Sequence, residues 1–402
     1  MKVLVVAAGP FPMGRGTPTR TLRVSHALAE RGHDICVVAF PIADSSIETD
    51  LRIERSSGSP NYTKTSAGPS LAKLLVMSPR LATKVRELLE REPFDVIYAH
   101  HYEGLLVASA ARRCADIRTP IIFDSHTLLG SEVSSYLPGF FSGPVNWIGT
   151  ALDGRLIRLA DAVISVTDQM TDFYAAHAQP NLPVVTATNG VESEKFAWGI
   201  AVRTDATPVR VVFAGNLSGY QGFDLLLAAF RKIRQQRQGI ELLVAASEAS
   251  SVLPMMGVAD PASEGILVRS GAFRDLPAIL ASADIAVNPR AVCPGIPQKL
   301  LNYMAAALPT VSFEGSSAIL VHEQTGLVVP NGDIDGFAAA IARLADSREL
   351  RLQLGSAARA LVTAKFQWER VAVAFEGVCR LLEQSSGARK PNRPLIRPRD
   401  GR

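Results

Sequence analysis

Cysteine is scarce and scattered. The 402 residues hold four, Cys36, Cys114, Cys293 and Cys379, with no CxxC pair and no adjacent histidine, so neither a zinc cluster nor a disulfide framework is expected. They read as buried thiols of a reducing cytoplasm. Long apolar runs are missing too. No stretch approaches the ~18 uncharged residues of a membrane span, and the opening MKVLVVAAGPFPMGRG breaks into Gly and Pro after one short burst, which excludes the pattern of a signal peptide. A broad basic excess is also lacking. The net charge is +4, yet the last fifteen residues, ARKPNRPLIRPRDGR, carry six Lys or Arg against one Asp, leaving the rest of the chain at about −1. A near-neutral body argues against nucleic acid as a partner, because nucleic-acid proteins concentrate positive charge on a folded face. The Pro- and Arg-rich tail, 388–402, reads as disordered: a solvated end, or a weak contact with anionic lipid at the inner face of a membrane.

What is present is the composition of a globular protein, 47% hydrophobic and 20% charged, long enough for two cores at roughly 150 to 200 residues per domain. KVLVVAA is a continuous β-branched run, as in a parallel strand covered on both faces. A Gly/Pro loop follows, then a helix over Thr19–Arg31 stopped by Gly32, then DICVVAF. Strand, loop, helix, strand is the βαβ unit of a doubly wound sheet. FDVIYAH, TPIIFDSH, ADAVISVT and LPVVTATNG continue it. SSGSPNYTKTSAGPS (56–70) reads as a mobile loop. A polar segment near Arg203–Thr207 reads as a linker, after which VRVVFAG, ELLVAAS, GILVRSG, ADIAVNP, PTVSF and TGLVVP begin a second Rossmann-like domain. The expected fold class is therefore α/β, with two parallel sheets whose carboxyl ends face a deep cleft.

Two stretches carry chemistry. In FAGNLSGYQGFDLLLAAF, Gly215, Gly219 and Gly222 open onto a helix, where unobstructed backbone N–H groups favour phosphate; a plain strand-to-helix turn explains them equally well. GK[ST] is missing, so this is no Walker A loop. In CPGIPQKLLNYMAAALPTVSF, Pro297 suits a helix start, and Lys299 and Asn302 sit one turn apart, opposite the Leu300, Leu301 and Met304 stripe, so that both can face the cleft. A cation at a helix N-terminus opposes the dipole, and a phosphate there would relieve it.

Taken in order, GRGTPTRTLRVSHALAERGHDICVV, FDVIYAHHYEG, FDSHT, NGVESEKF, FAGNLSGYQGFDLLLAAF and PQKLLNYMAAALPTVSF resemble the successive motifs of retaining family 4 glycosyltransferases of the GT-B fold, from Met1 to about Gln384. The resemblance implies an N-terminal acceptor domain, 1–200, completed by a returning helix at 368–384, and a C-terminal nucleotide-sugar domain, 205–367. It implies a retaining hexosyl-type transfer from a nucleotide diphosphate sugar to a hydroxyl on a glycan, glycolipid or small molecule, with no cofactor and no metal. His126 of FDSHT falls where the family has a histidine on the donor sugar and is the candidate catalytic residue. A histidine packed under the next loop is the alternative. Gly14, Arg15 and Gly16 of the first loop, His100 and His101, and Asn189 of NGVESEKF are candidates for substrate binding. Gly215, Asn216, Gln221, Gly222, Gly295, Ile296, Lys299 and Asn302 are candidates for the donor nucleotide and its phosphates. Strand alternation predicts that one of His100 and His101 faces the core.

The departures are specific. Asn216 and Gln221 stand where the family carries an Arg and a Lys around the pyrophosphate, and Pro294 and Asn302 where it carries two Glu. A subgroup with a PxKLLEYMA pattern shares the lysine at Lys299 and lacks the first Glu. Arg15 and Arg20 are candidates to replace the lost cations, a surface role being the alternative for either. These losses keep open a non-catalytic GT-B protein that binds a sugar nucleotide or a partner. A nucleotide-sugar epimerase is a further alternative, although it wants cleft carboxylates that the C-terminal motif does not offer. The apolar segment 128–149 is either a lipid-facing acceptor edge or a partly buried loop and helix.

Overall fold

The structure is a computed structural model that describes residues 1–387 apart from 15, 60–61, 65–69, 71, 135–138, 197–207, 218, 247–256, 258–259, 272 and 294. Arg15, Pro294, the linker at 203–207 and the basic tail therefore lie outside the described residues.

The first sheet comprises β1 (Lys2–Ala7), β2 (Asp34–Ala39), β3 (Arg52–Arg55), β4 (Val96–His100), β5 (Ile121–Ser125), β6 (Ala162–Ser165) and β7 (Val184–Thr186). Its order is β3-β2-β1-β4-β5-β6-β7, and the pairings are parallel. Val3 to Val6 are wholly buried because helices cover both faces of β1. The second sheet, β8 (Val209–Ala214), β9 (Ile240–Ala246), β10 (Ile266–Ser270), β11 (Ile285–Asn288), β12 (Thr310–Phe313) and β13 (Leu327–Val329), has the order β10-β9-β8-β11-β12-β13. Each sheet thus reverses its winding beside its first strand, between β1 and β4 and between β8 and β11. The crevice at such a point is where an open α/β sheet binds ligands.

The expected strands form; β3 was not foreseen. Its sequence RIER has no apolar run, and Arg52 and Glu54 spend their charges on Glu92 and Lys84 at the sheet edge. The first helix runs Gly16–Glu30, with Gly32 at φ 85° behind it. Within 56–70, Tyr62 is buried edge-on against Phe40. Cys36 and Cys379 are buried as expected, whereas Cys114 is exposed and Cys293 half-buried. Cys114 ends the helix His101–Cys114, past its buried stripe. The last helix, Trp368–Gly387, lies against the first sheet. Phe375 packs against Tyr98 with ring centroids 4.6 Å apart, and Arg31, in the turn just past the first helix, grips Glu376 through two hydrogen bonds. Among the described residues no helix is long and apolar enough to cross a membrane.

Candidate active site

At the carboxyl end of the first sheet, a carboxylate that should be costly is buried without exposure. Asp124 in β5 is held by Arg20 through Nε at 3.0 Å and Nη2 at 2.8 Å, and by the Tyr98 hydroxyl at 2.9 Å. Burial opposes its charge, but Arg20 outweighs burial and keeps the carboxyl well below the usual range. This corrects the expectation that Arg20 replaces a missing phosphate cation: its guanidinium is committed to Asp124, to Asn189 Oδ1 at 3.1 Å and to the Ala187 carbonyl at 3.0 Å.

The two histidines join this network. His100 Nδ1 lies 3.1 Å from Asp124 Oδ2 and 3.2 Å from His126 Nε2, which is itself 3.4 Å from the same carboxylate oxygen. Burial drives His126 down to about 3 and lowers His100 as well, so His126 is neutral at physiological pH. Among the described residues, His126 Nδ1 and His100 Nε2 are buried with no hydrogen-bond partner, a state that a substrate hydroxyl would relieve. His100, Asp124 and His126 offer ligand atoms within 4.8 Å of one another, a grouping that the motifs alone do not reveal. The donor set fits a metal poorly, because Asp124 is already neutralised by an arginine that would repel a cation.

Alternation does not separate His100 from His101. The strand ends at His100, and His101 opens the next helix at φ 66°, so both side chains line one cavity of about 260 Å³. A non-glycine residue there stores strain of ~1–3 kcal/mol, a cost met most often at functional sites. His101 Nε2 lies 2.8 Å from Glu132, and Glu103 pairs with Lys73. For His101 burial works against the proton, but Glu132 outweighs it and raises the imidazole pKa. Gly16 lines this cavity as well, and Asn216 and Tyr220 close it from the second sheet, with Asn216 Nδ2 donating to the Tyr220 hydroxyl at 3.1 Å.

Across the cleft, β8 turns at Gly215 with φ 151°, and a Cβ there would meet Lys299 Nζ at 3.1 Å. Lys299 lies in the helix Gln298–Ala305, one residue after the start, with Pro297 as N-cap rather than in the first turn. Its ammonium donates to Gln221 Oε1 at 2.7 Å and sits 4.2 Å from the Phe213 ring centroid. Burial, reinforced by Arg290, lowers this lysine to about 7. Packing demands a glycine at Gly222, which caps the helix Phe223–Gln236 at φ 68° and where a Cβ would lie 2.1 Å from the Pro289 carbonyl oxygen. Gly295 passes close to the first sheet, a Cβ there lying 3.7 Å from the His126 carbonyl oxygen, and the Ile296 carbonyl accepts from Asn189 at 3.5 Å.

Lys299 and Asn302 do not share a compartment. Asn302, buried, lines a second cavity of about 260 Å³ together with Gly14, Glu192, Arg274, Gln298 and Trp368. Sequence reasoning did not single out Asp124, Tyr98, Lys73, Glu132 or Tyr220 as site residues. An acid inside the apolar strand IIFDS was the available signal for Asp124; Tyr98 reads as an ordinary core residue of β4, and Lys73, Glu132 and Tyr220 sit in helical segments with no pattern to mark them.

This chain is similar to known proteins over nearly its whole length. A glycogen synthase of Mycobacterium tuberculosis is 25% identical across 98% of both chains. A GDP-mannose-dependent alpha-(1-6)-phosphatidylinositol monomannoside mannosyltransferase of the same species is 25% identical over 74% of this chain and 79% of its own. Among solved structures, sucrose-phosphate synthase from Thermosynechococcus elongatus superposes with a TM-score of 0.76 at 18% identity, covering 96% of this chain and 100% of that one. Anabaena HepE in complex with UDP and glucose gives 0.68 at 16% identity, covering 96% and 99%. Residues 15–190 match the family described as a glycosyl transferase 4-like domain, and residues 208–347 match glycosyl transferases group 1. With both halves matched in this order on two facing parallel sheets, the chain belongs to the family 4 glycosyltransferases of the GT-B fold.

Proposed function

We propose that the protein moves a hexose-like sugar from a nucleotide diphosphate sugar to a hydroxyl acceptor with retention of anomeric configuration, in the synthesis of a cell-surface glycan, glycolipid or glycoside. The observation that carries this reading is Lys299: a half-buried lysine whose amine packs against Gly215 and, among the described residues, is held by one neutral hydrogen-bond partner, Gln221. No described carboxylate pairs with this lysine, and a diphosphate supplies an anion. Anabaena HepE, solved with UDP and glucose, superposes over almost the entire chain.

In this reading the growing charge of the leaving diphosphate is stabilised by Lys299 and by backbone N–H groups after Gly215. Asn302 hydrogen-bonds the nucleoside from the second cavity, as a neutral partner. His126 meets the reacting sugar through its unpartnered Nδ1. The acceptor hydroxyl enters through the His100 and His101 cavity and loses its proton late, to the leaving phosphate. The test is a thermal-shift screen with UDP, GDP, ADP, dTDP and their sugars, since a ligand of the folded state raises the melting temperature by mass action. Transfer from the stabilising sugar nucleotide is then followed by NMR of the product anomer. An inverted product removes retention; binding without transfer or hydrolysis favours the non-catalytic reading.

A peripheral membrane contact is part of the proposal. Trp147, Ile148 and Leu152 on the helix Gly139–Leu156 are 75%, 53% and 42% exposed, an apolar group of the kind that seats at a lipid interface. Trp147→Ser is expected to reduce co-sedimentation with anionic vesicles, and equal sedimentation of both proteins would remove the contact.

A further inference from the structure

The cavity beside His100 and His101 has a charge arrangement that neither the family resemblance nor the relatives' names assign. Lys73 pairs with Glu103, Glu103 lies 3.7 Å from His101 Nδ1, and His101 Nε2 lies 2.8 Å from Glu132. The four side chains are only 11–20% exposed, and all four line this cavity. Each described cation on the lining thus already faces a carboxylate. Glu103 also occupies the first turn of the helix His101–Cys114, the place where the dipole would otherwise welcome an anion. His100, buried on the same lining with its Nδ1 engaged by Asp124, leaves Nε2 without a partner. Tyr62 and Tyr102 add aromatic surface.

From this we infer that Glu103 and Glu132 select the acceptor: an uncharged polyhydroxyl compound, a sugar or cyclitol without a phosphate at the reacting end. Ionised carboxylates accept hydrogen bonds from vicinal hydroxyls, and aromatic rings cover the C–H faces of a sugar ring. A phosphate would have to break an ion pair already made and approach two carboxylates, which costs more than it returns. The inference rests on the glycosyl-transfer reading, because it calls the occupant an acceptor.

The test titrates the full-length protein, saturated with whichever nucleoside diphosphate stabilises it, with methyl α-D-glucopyranoside, methyl α-D-mannopyranoside and myo-inositol. Glucose 6-phosphate, mannose 6-phosphate and inositol 3-phosphate serve as the charged counterparts. At least one neutral compound is expected to bind tenfold or more tightly than its phosphate. Glu132→Gln is expected to weaken it at least tenfold while the affinity for the nucleotide stays unchanged. Glu103→Gln, which keeps the shape and frees Lys73, is expected to narrow the preference against the phosphate. Tighter binding of the phosphates, binding of none of the neutral compounds, or wild-type affinity in both variants would overturn the assignment. Neutral-sugar binding in a protein that binds no nucleotide would instead remove the glycosyl-transfer reading and leave the selectivity standing.

Discussion

Lys299 Nζ and Gln221 Oε1 lie 2.7 Å apart, so the residue standing in place of a family cation is tied directly to the cation that remains. Charged hydrogen bonds contribute ~1.5–3 kcal/mol against ~1 for neutral ones. Lys299→Ala is therefore expected to weaken nucleoside diphosphate binding at least tenfold. Gln221→Lys replaces the acceptor by a second ammonium: it lowers the melting temperature of the free protein, and nucleotide restores it. Calorimetric titration of wild type and Lys299→Ala checks the first statement, and thermal melts of Gln221→Lys with and without nucleotide check the second. Equal affinity in wild type and Lys299→Ala would take the lysine out of the site.

The same lysine sets a pH dependence. Burial lowers it to about 7 in the free protein, so above neutrality the amine must regain a proton before it can pair with a diphosphate. Affinity for the nucleotide is expected to fall as pH rises through 7 to 9, with uptake of roughly one proton per nucleotide at pH 8. Titration in buffers of different ionisation enthalpy measures that uptake. Lys299→Met should abolish it, and an uptake that survives the substitution would assign the proton to another group.

Arg20 and Asp124 form a buried pair whose halves cannot be removed separately. Arg20→Met leaves an uncompensated buried carboxylate and is expected to cost ~3–5 kcal/mol in urea unfolding, whereas the double variant with Asp124→Leu recovers a substantial part. Asp124 is held below its ordinary value, so its share of stability is present above about pH 4 and lost below it. His126 is lowered to about 3, so an unfolded chain binds its proton more readily between roughly pH 6.5 and 3, and stability falls with pH there too. Both act in the same direction: acid should unfold the protein early, and the double variant should flatten the decline between pH 4 and 2.

Sheet and helix order were legible because a parallel sheet covered on both faces leaves continuous apolar runs such as KVLVVAA and ELLVAAS. RIER at β3 escaped because an edge strand need not be apolar, and its charges find partners only after folding. The site was legible where a residue type is costly in its local setting, as Lys299 is at a helix start. It was illegible where the reason lies far along the chain. Arg20 meets Asp124 across 104 positions, so its commitment to a carboxylate rather than a phosphate leaves no periodic trace. His101 escaped the alternation rule because the strand ends one residue before it and the backbone enters the left-handed region.

His126 is the residue on which the reaction is expected to depend most directly. Its Nε2 faces Asp124 and His100, Nδ1 is buried without a partner among the described residues, and its backbone carbonyl lies close to Gly295 of the second domain. A contact made to the sugar as charge develops is worth ~10²-fold or more in turnover. His126→Ala is expected to lower kcat by about that factor and to leave the nucleotide affinity near wild type. Some loss of melting temperature is expected as well, since the ring also packs against His100. His126→Asn separates the two roles, because it keeps a polar side chain at this position but cannot span both Asp124 and the sugar. If turnover stays within a few fold of wild type in both variants, His126 belongs to the scaffold around Asp124, and the reacting sugar is held elsewhere in the cleft.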